Sequence, residues 1–318
     1  MSRPLEDMET KFVFMGDPQC DRILNDNQDY SGWEKLLRFS LGKTADNSDN
    51  PALVILGGDL VNRRGREREW NAFFEACDRL REEFEFTLVS PTGVHGTQKP
   101  YYEVPGFVDR FILPGNGPSG YEDGFFSFDY GCAHFVVLDS GQMYDTEKYK
   151  SKFIGNWIRD DLAANRQPVA FAIMHHPMYS VGFSQDNDLR AGEMRDGFQN
   201  LLYRYGIDMI LCGHEHLYSR TGEDALITQI MGVSGGKQFD TDFESNNKEN
   251  MAVCMGNVAV TTLFTVREDK IKGETFDLDG NMIDSFDQTV RKAEPKNCAN
   301  CPKFPQCGGK RRHTEIEG

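Results

Sequence analysis

No apolar run in this 318-residue chain approaches the ~18 residues that a membrane-spanning helix needs. Met1 is followed by Ser-Arg-Pro-Leu-Glu-Asp, not by the apolar stretch of a secretory leader. Together these absences predict a soluble, intracellular protein, placed in the cytoplasm and without a membrane partner. Cysteine is sparse too: of eight residues only Cys298, Cys301 and Cys307 are grouped, which argues against a disulfide scaffold. Basic residues are in deficit. Lys+Arg 35 against Asp+Glu 50 leaves a net charge of −15, which excludes a broad nucleic-acid or anionic-membrane surface. There is also no Walker A phosphate loop.

What is present is one pattern used repeatedly: a short apolar run that closes on a polar turn. Lys11 to Gly16 stops at Gly16-Asp17-Pro18-Gln19, and Ala52 to Leu56 at Gly57-Gly58-Asp59. Phe86 to Val89 leads to Gly93-Val94-His95-Gly96, and Val169 to Met174 to His175-His176-Pro177. Ile207 to Leu211 ends at Gly213-His214-Glu215-His216. Each reads as a buried strand with a polar tip. Helices are predicted over Trp33 to Leu41, Arg66 to Phe84, Tyr149 to Asn165 and Met194 to Tyr205, and over part of Tyr101 to Leu113. Phe125 to Tyr130 and His134 to Leu138 form a hairpin about Gly131. Beyond the histidine turn, Ala225 to Met231, Val258 to Val266 and Ile271 to Leu278 read as strands, followed by a last hairpin through Asp279-Gly280. The pattern is that of an α/β protein in one domain, residues 1–290, with a cysteine-containing C-terminal tail over 291–318.

The strand tips carry Asp17 with Gln19, Asp59, His95, His175 with His176, and His214 with His216. In open α/β sheets, ligands bind outside the carboxyl ends of the strands. Carboxylates with imidazoles suit Zn, Mn or Fe better than thiolate-seeking ions. Ligands drawn from separate strands, one of them a carboxylate able to bridge, describe a two-metal hydrolytic site. Each residue taken singly has a plainer reading. Asp17 and Asp59 can be helix N-caps, His95 a loop histidine, Gln19 a surface amide, and His176 a pocket-lining residue.

In this order the motifs resemble those of the calcineurin-like metallophosphoesterase superfamily: D-x-H/Q, G-D, G-N-H-D/E, H-x-P and G-H-x-H, over roughly residues 11–290. Leu113-Pro114-Gly115-Asn116-Gly117-Pro118, Phe126-Ser127-Phe128-Asp129-Tyr130-Gly131 and His216-Leu217-Tyr218-Ser219-Arg220 resemble the purple-acid-phosphatase-like branch. The resemblance implies a four-layer α/β/β/α sandwich of two mixed sheets, with the site at one edge. It implies two divalent or transition metal ions, Mn, Zn or Fe. Asp17, Gln19 and His216 would hold the first, His175 and His214 the second, and Asp59 would bridge them. It further implies hydrolysis of small phosphomonoesters or phosphodiesters by a metal-activated hydroxide, with Asp59 and His95 as the catalytic pair. His95 would protonate the leaving oxygen or stabilise charge on the phosphoryl group.

The sequence also departs from the family. In G-N-H-D/E, Val94 replaces the metal-binding asparagine and Gly96 the acid that orients the histidine. Asn62 stands where purple acid phosphatases carry a tyrosine ligand, so their coloured iron site is not supported. A weakened enzyme, or an inactive binding protein that keeps the pocket, is therefore the alternative reading. In the tail, Cys298, Cys301 and Cys307 can close a zinc site with His313, hold part of an iron–sulfur cluster, or remain reduced thiols available for docking or redox sensing.

Overall fold

The computed structural model describes residues 9–20, 28–44, 51–63, 65–93, 110–143, 148–182, 191–242, 244–245 and 247–291. One sheet is built from β1 (Thr10–Met15), β2 (Ala52–Leu56), β3 (Phe86–Val89), β11 (Val260–Arg267), β12 (Lys270–Asp277) and β13 (Met282–Thr289), in the order β13-β12-β11-β1-β2-β3. The second holds β4 (Phe126–Tyr130), β5 (Ala133–Leu138), β6 (Val169–Met174), β7 (Met209–Cys212), β8 (Tyr218–Thr221), β9 (Thr228–Met231) and β10 (Met251–Met255), ordered β10-β8-β9-β7-β6-β5-β4. Both sheets are mixed. β1, β2 and β3 run parallel, as do β5, β6, β7 and β9, and antiparallel strands flank each set.

The layers follow from period-two alternation. On β1, Phe12 and Phe14 face the other sheet while Val13 and Met15 face outward. Between the sheets, Phe12 stacks on Phe264 at 4.6 Å and meets Phe135 and Phe171 edge-on at 5.2 Å, an aromatic packing favoured by ring quadrupoles. Outside the first sheet lie α1 (Ser31–Thr44) and α2 (Glu67–Arg81), which bury Trp33, Leu37, Trp70, Phe73 and Leu80. Outside the second lies α4 (Lys148–Ala164), whose Ile154, Ile158 and Leu162 recur every fourth residue and so form one buried stripe. α5 (Asn200–Arg204) packs beside it, adding Leu202. The result is the expected α/β/β/α sandwich of two mixed sheets. The sheets are also tied together by Asp284, which accepts two hydrogen bonds from Arg220 at 2.7 and 3.0 Å and one from the Tyr218 hydroxyl at 2.7 Å.

Several details depart from the sequence reading. β8 and β10 are strands that it omits, because four or five residues, mostly buried on β8 and half-buried on the edge strand β10, show little alternation. A short helix, α3 (Ser140–Met143), follows β5. The helix expected over Met194 to Tyr205 contains a π-turn, Arg195–Gln199, a local widening often found near functional sites. Residues 110–111 form a turn and bend, while residues 101–109 of the stretch from Tyr101 read as partly helical lie outside the described residues. Arg291 is still packed. Its amide donates to Asp208 at 2.9 Å and its guanidinium lies over the Tyr203 ring at 4.1 Å, while residues 292–318 lie outside the described residues. Among the described residues no helix is long and apolar enough to cross a membrane.

Candidate functional site

The register brings the carboxyl ends of the parallel strands level: Met15 pairs with Leu56, Leu138 with Met174, and Cys212 with Met231. These strands therefore deliver their turns to the same edge of the sandwich. Glycines let the two sheets touch there. A methyl on Gly213 would lie 2.9 Å from the Gly57 carbonyl oxygen and 3.0 Å from Asp17 Cγ, closer than atoms pack. Gly93 backs directly onto Asp59. The Asp17 carbonyl accepts the Gly235 amide at 2.9 Å, so the turn after β9 is fastened to the end of β1.

At this edge the structure brings together Asp17, Gln19, Asp59, His175, His176, His214 and His216, and all but His214 are buried. His175 Nδ1 donates to the Gly57 carbonyl at 2.8 Å, so Nε2 is the ring nitrogen facing Asp59 Oδ2 at 3.3 Å and His214 Nδ1 at 3.2 Å. His216 is set in the same way. Nδ1 donates to the Lys237 carbonyl at 2.7 Å, and the Nε2 lone pair lies 2.9 Å from Gln19 Nε2 and 3.7 Å from Asp17 Oδ2. The His214 amide donates to Asp17 Oδ2 at 2.6 Å. Four non-glycine residues have positive φ among the described residues, and three of them are Asp59 (46°), His214 (82°) and His216 (53°). Such strain persists only where the surroundings enforce it, and it concentrates at functional sites.

The electrostatics describe a pocket short of positive charge. Burial raises the Asp17 carboxyl above the usual carboxylate range, with nearby Asp59 adding to the rise and His175 opposing it. Burial disfavours a cation on His175, but the carboxylates of Asp59 and Asp17 outweigh it and lift this histidine above its ordinary value. Burial, with help from Lys237, pushes His216 down to about 3, so its imidazole is neutral. Asp17 Oδ1 and Gln19 Oε1 are buried without a hydrogen-bond partner among the described residues. Unsatisfied buried oxygens beside two inward-facing imidazole nitrogens are what a bound cation would satisfy.

The spacings fit a cation as well. Two ligands about 2.1 Å from one metal ion stand roughly 3.0–3.4 Å apart, which matches the 3.2 and 3.3 Å separations of His175 from His214 and Asp59. Among the described residues no three His, Cys, Asp or Glu side chains form a finished ligand cage; the donors converge in pairs. Closing a cage takes side-chain rotation. At Gln19, turning the terminal amide over would exchange Nε2, which now donates toward His216 and Asp59, for the ligating oxygen Oε1.

Three features of the site, Glu215, Ser140 and the turn after β9, escape the strand-end reading. Glu215, between the two histidines, is buried and accepts the Ser180 hydroxyl and the amides of Val181 and Gly182 at 3.0 and 2.7 Å, which holds the histidine turn against the chain after His176. Ser140 Oγ accepts the His176 amide at 2.9 Å and so donates its own proton to His176 Nδ1, also at 2.9 Å. Asn62 donates to the Cys20 carbonyl at 2.7 Å and points no ligand oxygen inward by that bond. The turn after β9, Gly232-Val233-Ser234-Gly235-Gly236, spells the G-x-S-x-G of serine hydrolases. Ser234, however, is buried and donates to the Gly16 carbonyl, so it is a structural tie. That glycine cluster was the available signal for a sixth strand-end turn. His95, with Val94 and Gly96, lies outside the described residues, as do Cys298, Cys301 and Cys307.

Comparison with known proteins agrees with this geometry. Residues 10–218 match the family described as calcineurin-like phosphoesterase. Purple acid phosphatase 18 of Arabidopsis thaliana is 26% identical over 203 residues, which cover 60% of this chain and 42% of that protein. The structure of purple acid phosphatase PPD1 from yellow lupin, Lupinus luteus, superposes with a TM-score of 0.67 at 20% identity, covering 90% of this chain and 55% of that one. GAP50, described as the anchor in the inner membrane complex of Plasmodium, also superposes at 0.67, with 13% identity and 90% of each chain covered. At these identities the two superpositions are likenesses of fold. The chain spans less than half the length of the first curated relatives it matches, 26% and 42% of them. With the family profile covering residues 10–218 and the two-sheet sandwich bringing the Asp17, Asp59, His175 and His214–His216 turns to one edge, this chain belongs to the calcineurin-like phosphoesterase family and resembles its purple acid phosphatases.

Proposed function

We propose that the protein is a metal-dependent phosphoester hydrolase acting on small phosphomonoesters or phosphodiesters. The observation that carries this reading is the convergence of Asp17, Asp59, His175, His214 and His216 at one edge, with the two imidazoles of His175 and His214 3.2 Å apart and imidazole nitrogens 3.3–3.7 Å from carboxylate oxygens. Asp17, Gln19 and His216 would hold one ion, His175 and His214 the other, and Asp59 would bridge. When bound, a metal pair of this kind supplies Lewis acidity at the phosphoryl oxygens and lowers the pKa of a water to near neutrality. The residues of the chain do the rest. The Gly57 and Lys237 carbonyls fix the His175 and His216 tautomers, so that the lone pair on Nε2 faces inward. Asp17 is held in place by the His214 amide. The surrounding buried side chains exclude bulk water, which strengthens each charge interaction. His95 supplies a proton to the leaving oxygen, a role that rests on the order of motifs in the sequence.

Elemental analysis of chain purified without chelator, together with hydrolysis of 4-nitrophenyl phosphate and its bis-ester, tests the reading. About two transition-metal ions per chain and turnover that falls at least ~100-fold in Asp59→Asn are expected. Undiminished turnover in Asp59→Asn would remove that residue from the mechanism.

A second reading is favoured by Val94 and Gly96: a site that holds metal and ligand with weak or no turnover. A Val94→Asn, Gly96→Asp double variant that gains activity from an inert parent would establish it; an active parent excludes it.

A further inference from the structure

Of the large apolar side chains exposed among the described residues, Phe239 is the one that touches the candidate site. It is 47% accessible, and its ring centroid lies 5.0 Å from that of His216. Its position is built by the backbone. The Phe239 amide donates to the His216 carbonyl at 2.8 Å, and the Phe239 carbonyl accepts the Asn257 amide at 2.8 Å. Lys237 works on two sides. Its carbonyl orients His216, while its ammonium lies over the Phe239 ring, 5.6 Å from the centroid. The ring does not fill the interior: it stands open to solvent beside a proposed metal ligand. Nor is the ring covered by the core, since Phe239 belongs to none of the three hydrophobic clusters.

On the hydrolase reading above, a phosphoryl group held beside His216 projects its leaving group across this surface. A flat face met by a flat face gains stacking that an alkyl chain does not, and the neighbouring ammonium favours anionic ligands. We propose that Phe239 and Lys237 form the leaving-group platform, and that the site selects phosphoesters whose leaving group carries a planar aromatic ring. Phe239 is then a specificity residue, and Lys237 adds electrostatic attraction without reading shape.

Phosphonates, whose P–C bond is not hydrolysed, test this without turnover. Calorimetric titration of the metal-loaded chain should find phenylphosphonate bound about 5–10-fold tighter than methylphosphonate. In Phe239→Ala the two should bind alike, in Phe239→Tyr the preference should return, and in Lys237→Met both should weaken together. A nucleoside 5′-methylenephosphonate, run alongside, distinguishes the source of the ring. A larger loss for it than for phenylphosphonate in Phe239→Ala points to a nucleobase, the reverse to an aryl group on the ester oxygen, and either supports the platform. Equal affinity for phenyl- and methylphosphonate in the natural chain, or a preference that survives Phe239→Ala, overturns the platform and leaves the hydrolase reading intact. Binding of neither phosphonate by the metal-loaded chain overturns both.

Discussion

Gly213→Ala probes whether the contact between the two sheets is what positions the site. The added methyl would lie 3.0 Å from Asp17 Cγ, in steric overlap with Asp17 Oδ1, and 2.9 Å from the Gly57 carbonyl. Ordinary carbon–carbon contact is about 3.5–4.0 Å, so Asp17 must retreat by roughly 0.5–1 Å. Metal–ligand distances tolerate only about ±0.2 Å. The same retreat breaks the 2.6 Å hydrogen bond from the His214 amide to Asp17. The expected outcome is loss of at least one metal equivalent by elemental analysis and a fall in turnover of at least ~10–100-fold, the usual scale for a disturbed ligand shell. Gly42→Ala is the control. Nothing lies within 4 Å of its added methyl, and it sits on the exposed side of α1, so it should stabilise by about 0.5–1 kcal/mol and leave metal content unchanged. Full metal content and full activity in Gly213→Ala would refute the view that close backbone approach at this edge sets the ligand geometry.

Three further outcomes are expected. Asp284→Ala strands Arg220, whose side chain is 17% accessible, and removes the acceptor of Tyr218. A loss of about 2–4 kcal/mol, or ~4–10 °C in Tm by calorimetry, should follow, while an Arg220→Met, Asp284→Leu pair recovers most of it. His134 lies between Asp129 at 2.6 Å and Asp161 at 2.9 Å. Burial opposes its charge, but the two carboxylates outweigh this and raise its pKa above the ordinary 6.5. Because folding raises this pKa, the stabilisation is complete below about pH 6.5 and is lost as pH rises through the folded value. The Tm gap between the natural chain and His134→Leu should therefore narrow as pH rises above about 6.5, and a gap that widens would contradict the assignment. Finally, Mn or Zn added to chelator-treated protein at ~100 times its Kd should stabilise it by about 2.7 kcal/mol, and Asp17→Asn should blunt that response in a thermal melt.

Much of the fold was written in local patterns. Alternating Phe12, Val13, Phe14 and Met15 specify a strand buried on both faces, and Ile154, Ile158 and Leu162 specify a helix with one apolar stripe. Those signals are carried by near neighbours in the chain, so they survive without knowledge of contacts. The strand-tip residues were legible for the same reason, because a strand that must end in a polar turn announces where its functional side chains stand. Short edge strands were not legible. β10 at the sheet edge and β8 beside it owe their form to their pairing partners, and four or five residues carry too weak a period to be read alone.

What the sequence by itself determined was the α/β class, the order of the motifs and the chemical types brought to the site. The tertiary structure alone decided how those types meet. Asp17 and His214 lie 197 positions apart and are joined by one hydrogen bond. Glu215 fastens the histidine turn, Lys237 supplies both the carbonyl behind His216 and the charge over Phe239, and Ser234 is turned into a tie. The Asp17–His214 and Ser234–Gly16 bonds cross between the two sheets, whereas Glu215 and Lys237 join turns within the second sheet. Pairing across such distances is set by packing and register over the whole sandwich, not by the few residues on either side.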